Sequence, residues 1–409
     1  MLFFVEAATT GAGLSLLAAL HDVGRDVALV TNLPGRYAAS PGARVIAELS
    51  AKRRLHVTDT TLWESPEWLP EADAPHGVIS ASDKYLPYTA HLAQALGAPF
   101  LSVDAVARLR DKRRARELFD DLNVGHVRWA APRSVEEVAA FAGDIGGPVI
   151  IKNVVGSGSM DVAFARTPTE AATRWKQLAS RPRWLDGDLM VEEFVVGPLV
   201  SLETLVTQGR PVFLGVTDRQ LSAPPVMAEV GYTFPVTVTE AHRSAMQHAV
   251  HKIVDALEIP QGFLHTEFIL RPGSTHLVEV NARLPGGFFV PMLRDCLTGD
   301  LYDALHDAAV GRPISAPRHN GSFSSGYVSY APVRGRALES SRVEDAKAHP
   351  WLVEMVGGVT AGDIVAPASD FRGSVAHVRA LAPTPSLSAT AARAAAESLI
   401  PPLQEVGDD

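Results

Sequence analysis

The chain has one cysteine, Cys296, in 409 residues. No internal disulfide can form, and the lack of any CxxC pair or Cys/His cluster leaves no structural zinc site. A reducing cytoplasm is the compartment that fits, with Cys296 as a small buried hydrophobe. Basic residues are also in deficit: 37 Lys and Arg stand against 46 Asp and Glu, a formal charge of −9. That balance argues against nucleic acid or an anionic membrane as the main partner, because phosphate contacts need clustered cations. No apolar run approaches the ~20 residues that span a bilayer. The N-terminal MLFFVEAATTGAGLSLLAAL lacks the basic start of a signal peptide and is broken by Glu6 and a Thr/Gly turn, so it reads as strand, turn, helix. A soluble protein is expected. Aromatics are few (7%), yet 46% of residues are hydrophobic and 20% charged, the balance of a folded globular chain. The length exceeds what one core usually organises, and two to four subdomains follow.

Along the chain, LFFVE at 2–6, a helix to about Val23 and VALVT at 27–31 form a βαβ opening. Apolar segments near 77–80 and 98–103, separated by a helical stretch at 84–96, continue the alternation and predict a parallel sheet flanked by helices. The TTGAG turn at 9–13 is what any such unit needs between strand and helix. A charged helix is expected at 104–122, then a helix at 134–143 and a strand at 148–155. From there strands and turns dominate: GSGSM at 156–160, DVAFAR at 161–166, LMVEEFVV at 189–196 and SLETLV at 201–206. A helical stretch at 240–257 precedes a hairpin over 263–283. Residues 320–409 mix short strands with an Ala-rich helix at 388–399.

The hairpin is the most informative segment. In its second strand Glu279, Asn281 and Arg283 stand two apart and share one face. With the turn centred on Gly273, Glu267 faces Glu279 and His265 faces Asn281, at Cβ separations of about 4.5–5.5 Å. Two opposed carboxylates repel unless a cation lies between them, and oxygen donors from two Glu and an Asn suit a hard ion such as Mg2+. The alternative is that one carboxylate faces solvent on an edge hairpin. Arg283, two residues on, suits negative charge developing on a phosphoryl or acyl oxygen, or else forms a surface salt bridge. A second constellation is IIKNVVGSGSM, where Lys152 ends an apolar strand and a Gly/Ser loop leads to another. Such a loop can lay backbone N–H groups over phosphates, or be only a turn. It has no GK[ST] and no following helix, so both the P-loop and the dinucleotide fingerprint are excluded.

The order Lys112, Lys152, glycine loop, Glu192-Glu193-Phe194-Val195, Glu267, Glu279-x-Asn281-x-Arg283 resembles ATP-grasp ligases over about 110–300. The resemblance implies ATP held between two lobes, with Lys112 and Lys152 on the α and β phosphates. The loop of Gly156, Ser157, Gly158 and Ser159 would close over the β and γ phosphates. Glu192 and the backbone from Glu193 through Phe194 to Val195 would meet adenine, and Glu267, Glu279 and Asn281 would hold two Mg2+, with Mn2+ as a substitute. Arg283 and Lys152 would be the catalytic cations, Arg283 at the acyl phosphate. Family members often carry Glu after the hinge Gly-Pro, for ribose; here Leu199 follows Gly197-Pro198, and Glu203 either takes that contact or faces substrate. The charge run RLRDKRRAR at 108–116 then reads as a solvated helix carrying one ATP lysine.

Within that family, the RLPGG at 283–287, the EVGYTFP at 229–235 and the small N-terminal domain most resemble amino-acid ligases that make dipeptides or related amides. Glu229, Tyr232, His265, Arg283, Gly286 and Gly287 are candidates for lining the substrate pocket, with core or turn roles as the alternatives, and His265 or Glu229 are candidate bases. The expected fold is α/β and α+β multidomain: an ATP-grasp fold with a Rossmann-like parallel-sheet domain at 1–101, a small lobe with a glycine-rich lid at 102–196, a large lobe with metal and substrate site at 197–325, and an α+β extension at 326–409. The implied reaction activates a small carboxylic acid as an acyl phosphate and joins it to an amine, releasing ADP and phosphate. The implied partners are the acid and the amine, and the family allows a homodimer. The rivals are a phosphotransferase on the same ATP site and a nucleotide-binding module without turnover.

Overall fold

A computed structural model describes residues 1–7, 12–37, 40, 42–69, 75–156, 158, 160–182, 187–367 and 373–406. Strands β1 (Leu2–Val5) and β2 (Val27–Thr31) are buried at every position, as apolar runs covered on both faces must be. With β3 (Leu55–Val57) and β4 (Gly77–Ile79) they form a parallel sheet in the order β3-β2-β1-β4. Leu2 and Phe4 pack with helices α1 (Ala12–Asp22) and α2 (Ala43–Ala51), while Phe3 and Val5 pack with α3 (Leu86–Leu96). The strand order reverses between β1 and β4, so the carboxyl ends of those two strands, Glu6 and Ser80–Asp83, open on a crevice. The strand expected at 98–103 does not form. Gly97 ends α3 in a left-handed conformation, and Ser102 already caps α4 (Val103–Arg110) by accepting from the Ala105 N–H.

The helix expected over 104–122 is two helices. Asp111, at ψ 109°, ends α4 and caps α5 (Lys112–Asp121) by accepting from the Arg113 and Arg114 N–H groups, a side-chain cap competing with helix continuation. A four-stranded antiparallel sheet follows in the order β5-β8-β6-β7: β5 (Trp129–Ala130), β6 (Val149–Asn153), β7 (Val162–Ala165) and β8 (Leu189–Glu193). Val149, Ile151 and Val191 from it pack with α6 (Val135–Ile145) and α7 (Pro168–Ser180). The unanticipated α7 has an ordinary start, with Thr167 capping and Pro168 in its first turn.

The main sheet has eight strands, all antiparallel, in the order β13-β12-β9-β10-β11-β14-β18-β16. Its first five strands in sequence are β9 (Leu199–Thr207), β10 (Arg210–Leu221), β11 (Glu229–Phe234), β12 (Gly262–Arg271) and β13 (Ser274–Asn281). On one face Val200, Leu202, Leu264 and Phe268 pack with α8 (Glu240–Ala256); on the other, Leu205, Tyr232 and Phe263 pack with α9 (Phe289–Cys296) and α10 (Leu301–Ala309). Cys296 is fully buried there. The sheet continues into the C-terminal segment of β14 (Phe323–Tyr330), β15 (Gly335–Ala337), α11 (Val343–Lys347), β16 (Leu352–Gly357), β17 (Ile364–Val365), β18 (Ser374–Ala382), α12 (Pro385–Ser398) and β19 (Leu403–Glu405). Among the described residues no helix is long and apolar enough to cross a membrane.

Candidate functional site

Lys152 lies near the end of β6 at 7% exposure, where an ammonium needs a partner. Glu192 Oε2, on neighbouring β8, meets its Nζ at 2.7 Å. The same carboxylate accepts two bonds from Arg116, from Nε at 2.7 Å and Nη2 at 3.1 Å. Burial opposes the charge on Glu192, but Arg116 and Lys152 outweigh it and hold its pKa at about 2. Burial lowers that of Lys152, with Glu192 pulling the other way. Arg116 also donates to the Leu277 and Val278 carbonyls, at 2.5 and 3.0 Å, so one buried side chain of α5 ties the small sheet to the main one. The run at 108–116 is therefore not wholly solvated. Its missed residue, Arg116, lies four beyond Lys112, on the same helix face.

Lys112 opens α5. Its N–H donates to Val154 O at 2.8 Å, and its Nζ donates to Gly156 O at 2.5 Å and lies 3.4 Å from Glu279 Oε2. The fold thus brings both lysines, Glu192, Gly156 and Glu279 together. Gly158 sits at φ +63°, and Ser157 and Ser159 lie outside the described residues. Glu193 points the opposite way from Glu192, as adjacent strand residues do, and accepts from the Arg128 N–H and Nε at 3.0 and 3.2 Å. Phe194 meets Phe164 edge-on at 5.0 Å between ring centres, and Val195 is buried.

The hairpin register pairs Glu267 with Glu279 and His265 with Asn281, by a route other than a turn centred on Gly273. Arg271 pairs with Ser274 and Phe268 with Leu277, a register that alone would put Val278 opposite Glu267. A bulge at Val278 absorbs one residue and restores the carboxylate pair. The donor set decides whether these residues suit a hard divalent cation. Glu279 Oε1 accepts from Asn281 Nδ2 at 2.9 Å, while Glu267 Oε1 accepts from Arg219 Nη1 at 2.8 Å. Two carboxylates on adjacent strands and an amide within reach of one of them form an all-oxygen set that fits Mg2+. Among the described residues no group of three or more His, Cys, Asp or Glu is placed to hold a metal, so the hairpin's set depends on Asn281 and on ligand oxygens.

Arg219, on β10, is a second residue that sequence reasoning missed. It binds Glu229 Oε1 through Nε at 2.5 Å, and its Nη1 lies 2.7 Å from His265 Nε2 as well as against Glu267. Across the ring, His265 Nδ1 donates to Glu203 Oε2 at 2.9 Å. Burial alone would strip the His265 proton, but Glu203, backed by Glu267, more than reverses this and lifts its pKa to about 9. Two cations therefore meet at Glu267 Oε1, which bridges them. Glu267 is held well below the ordinary carboxylate range, burial being outweighed by Arg219 and His265. Neither candidate base is free in this state, since His265 keeps its proton at neutral pH and Glu229 is paired. Glu203 is completely buried and also accepts from Ser201 and Thr217 at 2.6 and 3.0 Å.

Tyr232 lies in the core, 3% exposed, accepting from the Phe288 N–H at 3.0 Å and stacked on Phe289. Gly287, at φ +57°, passes so close that a Cβ there would stand 3.0 Å from the Tyr232 hydroxyl, whereas Gly286 borders open space. Arg283 is paired with a carboxylate of the first domain. Its Nε and Nη2 both donate to Asp83 Oδ2, at 2.7 and 2.6 Å, a largely buried pair reaching the crevice of the first sheet. A cleft beside them is lined by Asp83, Arg110, Lys112, Gly156, Glu279 and Asn281 among others.

Two lobes meeting over a pair of lysines and a carboxylate hairpin define the ATP-grasp fold, and residues 145–291 match the ATP-grasp domain family. Residues 327–400 match L-amino acid ligase C-terminal domain 2, so the chain carries an ATP-grasp domain followed by that domain. The L-amino acid ligase from Bacillus licheniformis superposes over 99% of this chain and 98% of its own, with a TM-score of 0.75 at 18% identity. By sequence, the chain is 23% identical over 337 residues to protein y4rH of Sinorhizobium fredii, covering 81% of this chain and 70% of that protein. It is 25% identical over 284 residues to carnosine synthase 1 of Gallus gallus, covering 64% of this chain but only 30% of that synthase.

Proposed function

We propose that the chain is an ATP-dependent, ADP-forming ligase that activates a small carboxylic acid, an amino acid, as its acyl phosphate and couples it to an amine. The arrangement that carries this reading is the pair of lysines, Lys152 bonded to Glu192 and Lys112 bonded to Gly156 O and beside Glu279, together with the hairpin that pairs Glu279 with Glu267 and carries Asn281. The matches to an ATP-grasp domain and an L-amino acid ligase C-terminal domain support it. The reading includes cytoplasmic location and a division at 1–101, 102–196, 197–325 and 326–409.

Lys112 and Lys152 would neutralise phosphate oxygens, and the 156–160 loop would exclude water from an acyl phosphate that otherwise hydrolyses. Two Mg2+ ions, replaceable by Mn2+ and held by Glu267, Glu279 and Asn281, would supply charge neutralisation of the phosphoryl oxygens. Engaging the acyl oxygen requires Arg283 to exchange Asp83 for substrate, which ties that step to binding at the crevice of the first sheet. Glu192, fixed between Arg116 and Lys152, would hold Lys152 in place near the adenine end.

The test is ADP and phosphate release from MgATP across pools of amino acids and small carboxylic acids, with mass spectrometry of the products. Release that needs acid and amine together, with a condensed product, is expected. A stable phosphorylated acid, AMP, or no turnover would overturn the reading.

A further inference from the structure

The cleft contains one cation that this chemistry does not use. Arg110, the last residue of α4, lines it next to Lys112 and Asp83. Its neighbours are all engaged: Arg283 with Asp83 at 2.6 Å, Lys112 with Gly156 O at 2.5 Å, Arg116 with Glu192 at 2.7 Å. Arg108 and Arg114, more exposed, both pair with Asp104. Arg110 alone of this group makes no hydrogen bond or ion pair among the described residues; Asp83, the anion whose field it feels, already gives one oxygen twice to Arg283. A partly buried guanidinium has five donors and no acceptor, and leaving it unmatched is costly unless an anion arrives.

The nearby arginine assigned to the acyl group, Arg283, is neutralised by its own carboxylate partner. The charge left to draw an anion into the cleft is that of Arg110. We propose that Arg110 is the docking residue for a substrate carboxylate, gripping it through two parallel N–H donors. The proposal rests on the ligase reading, and the carboxylate is that of the acid to be activated or that of an amino acid serving as the amine.

The experiment measures ADP release by the full chain with the acid and amine identified from the pools, comparing wild type with Arg110→Gln and Arg110→Lys. Arg110→Gln is expected to raise KM for one carboxylate-bearing substrate by roughly tenfold, the equivalent of about 1.4 kcal/mol, with KM for MgATP unchanged, and Arg110→Lys to recover part of the loss. A rise on the acid assigns the docked group to the activated substrate; a rise on the amine that vanishes with its carboxamide assigns it to the acceptor. A rise in KM for MgATP, an equal rise for carboxylate and carboxamide, or no change overturns the proposal and leaves the ligase reading standing. If wild type releases no ADP with any pool, it is the ligase reading that fails, and docking is read from thermal midpoints in sodium acetate against sodium chloride of equal ionic strength. A wild-type rise that Arg110→Gln abolishes upholds docking, and identical responses overturn it. A purely structural arginine would lower the ligand-free midpoint when replaced, whereas removal of an unmatched charge leaves it level or raises it.

Discussion

Two buried charge clusters carry opposite residual sign. On the small-sheet side, Lys152 and Arg116 share a single carboxylate, Glu192. On the inner face of the main sheet, Glu203, Glu229 and Glu267 share Arg219 and the protonated His265. The first is one positive charge in excess and the second one negative. An uncompensated buried charge is costly, so under the proposed function a phosphate would complete one cluster and a cation the other. Both are built around carboxylates on apolar strands. What separates them is the number of carboxylates, one against three, that two cations serve.

The largest expected effect comes from breaking the negative cluster where it meets the hairpin. Glu267→Gln should lower Mg2+-dependent ADP release on the order of 10²–10³-fold, and an unchanged kcat would refute the metal assignment. Breaking the positive cluster acts on stability instead. Arg116→Met leaves Glu192 with one partner and two backbone carbonyls without a donor, and should cost roughly 3–5 kcal/mol in urea unfolding; a loss below about 1 kcal/mol would show that the cross-lobe tie carries no weight.

The comparison also has a pH signature. The folded pKa of Glu192, about 2, lies below its ordinary 4.5, so its stabilisation is complete above that ordinary value and drains as pH falls toward 2. About 3 kcal/mol should be lost over that window, and Glu192→Gln should flatten this part of the acid limb in thermal denaturation. The smallest effect is expected at Tyr232→Phe, where the Phe288 N–H loses its acceptor for about 1–2 kcal/mol with KM values unchanged. A KM shift at unchanged stability would place Tyr232 in the substrate pocket.

The parts legible in the sequence are those governed by local period. LFFV and VALVT announce buried parallel strands, and alternation in HLVEVNAR puts Glu279 and Asn281 on one side. Residues whose partners lie far away in sequence were not legible. Arg116 meets a carboxylate 76 residues on and a carbonyl 161 residues on, and Arg283 reaches back 200 residues to Asp83. No pattern in α5 or in the stretch just after β13 encodes those distances. The break at Asp111 was hidden because an Asp in a charged run reads equally well as surface or cap. Residues 98–103 are apolar enough for a strand, but the left-handed Gly97 and the cap at Ser102 leave no room for one.

The bulge at Val278 gives the hairpin two reading frames. On the face of Glu267, the even-numbered Ser274 and His276 precede the bulge and the odd-numbered Glu279 and Asn281 follow it. Deleting Val278 alone would straighten the strand and still leave Glu279 opposite Glu267 and Asn281 opposite His265, whereas keeping Val278 and pairing it with Glu267 would turn both proposed ligands to the opposite face. The bulge therefore lets even-numbered positions next to the turn and odd-numbered ligands share one face, and a redesign that closes the bulge has to remove a residue with it.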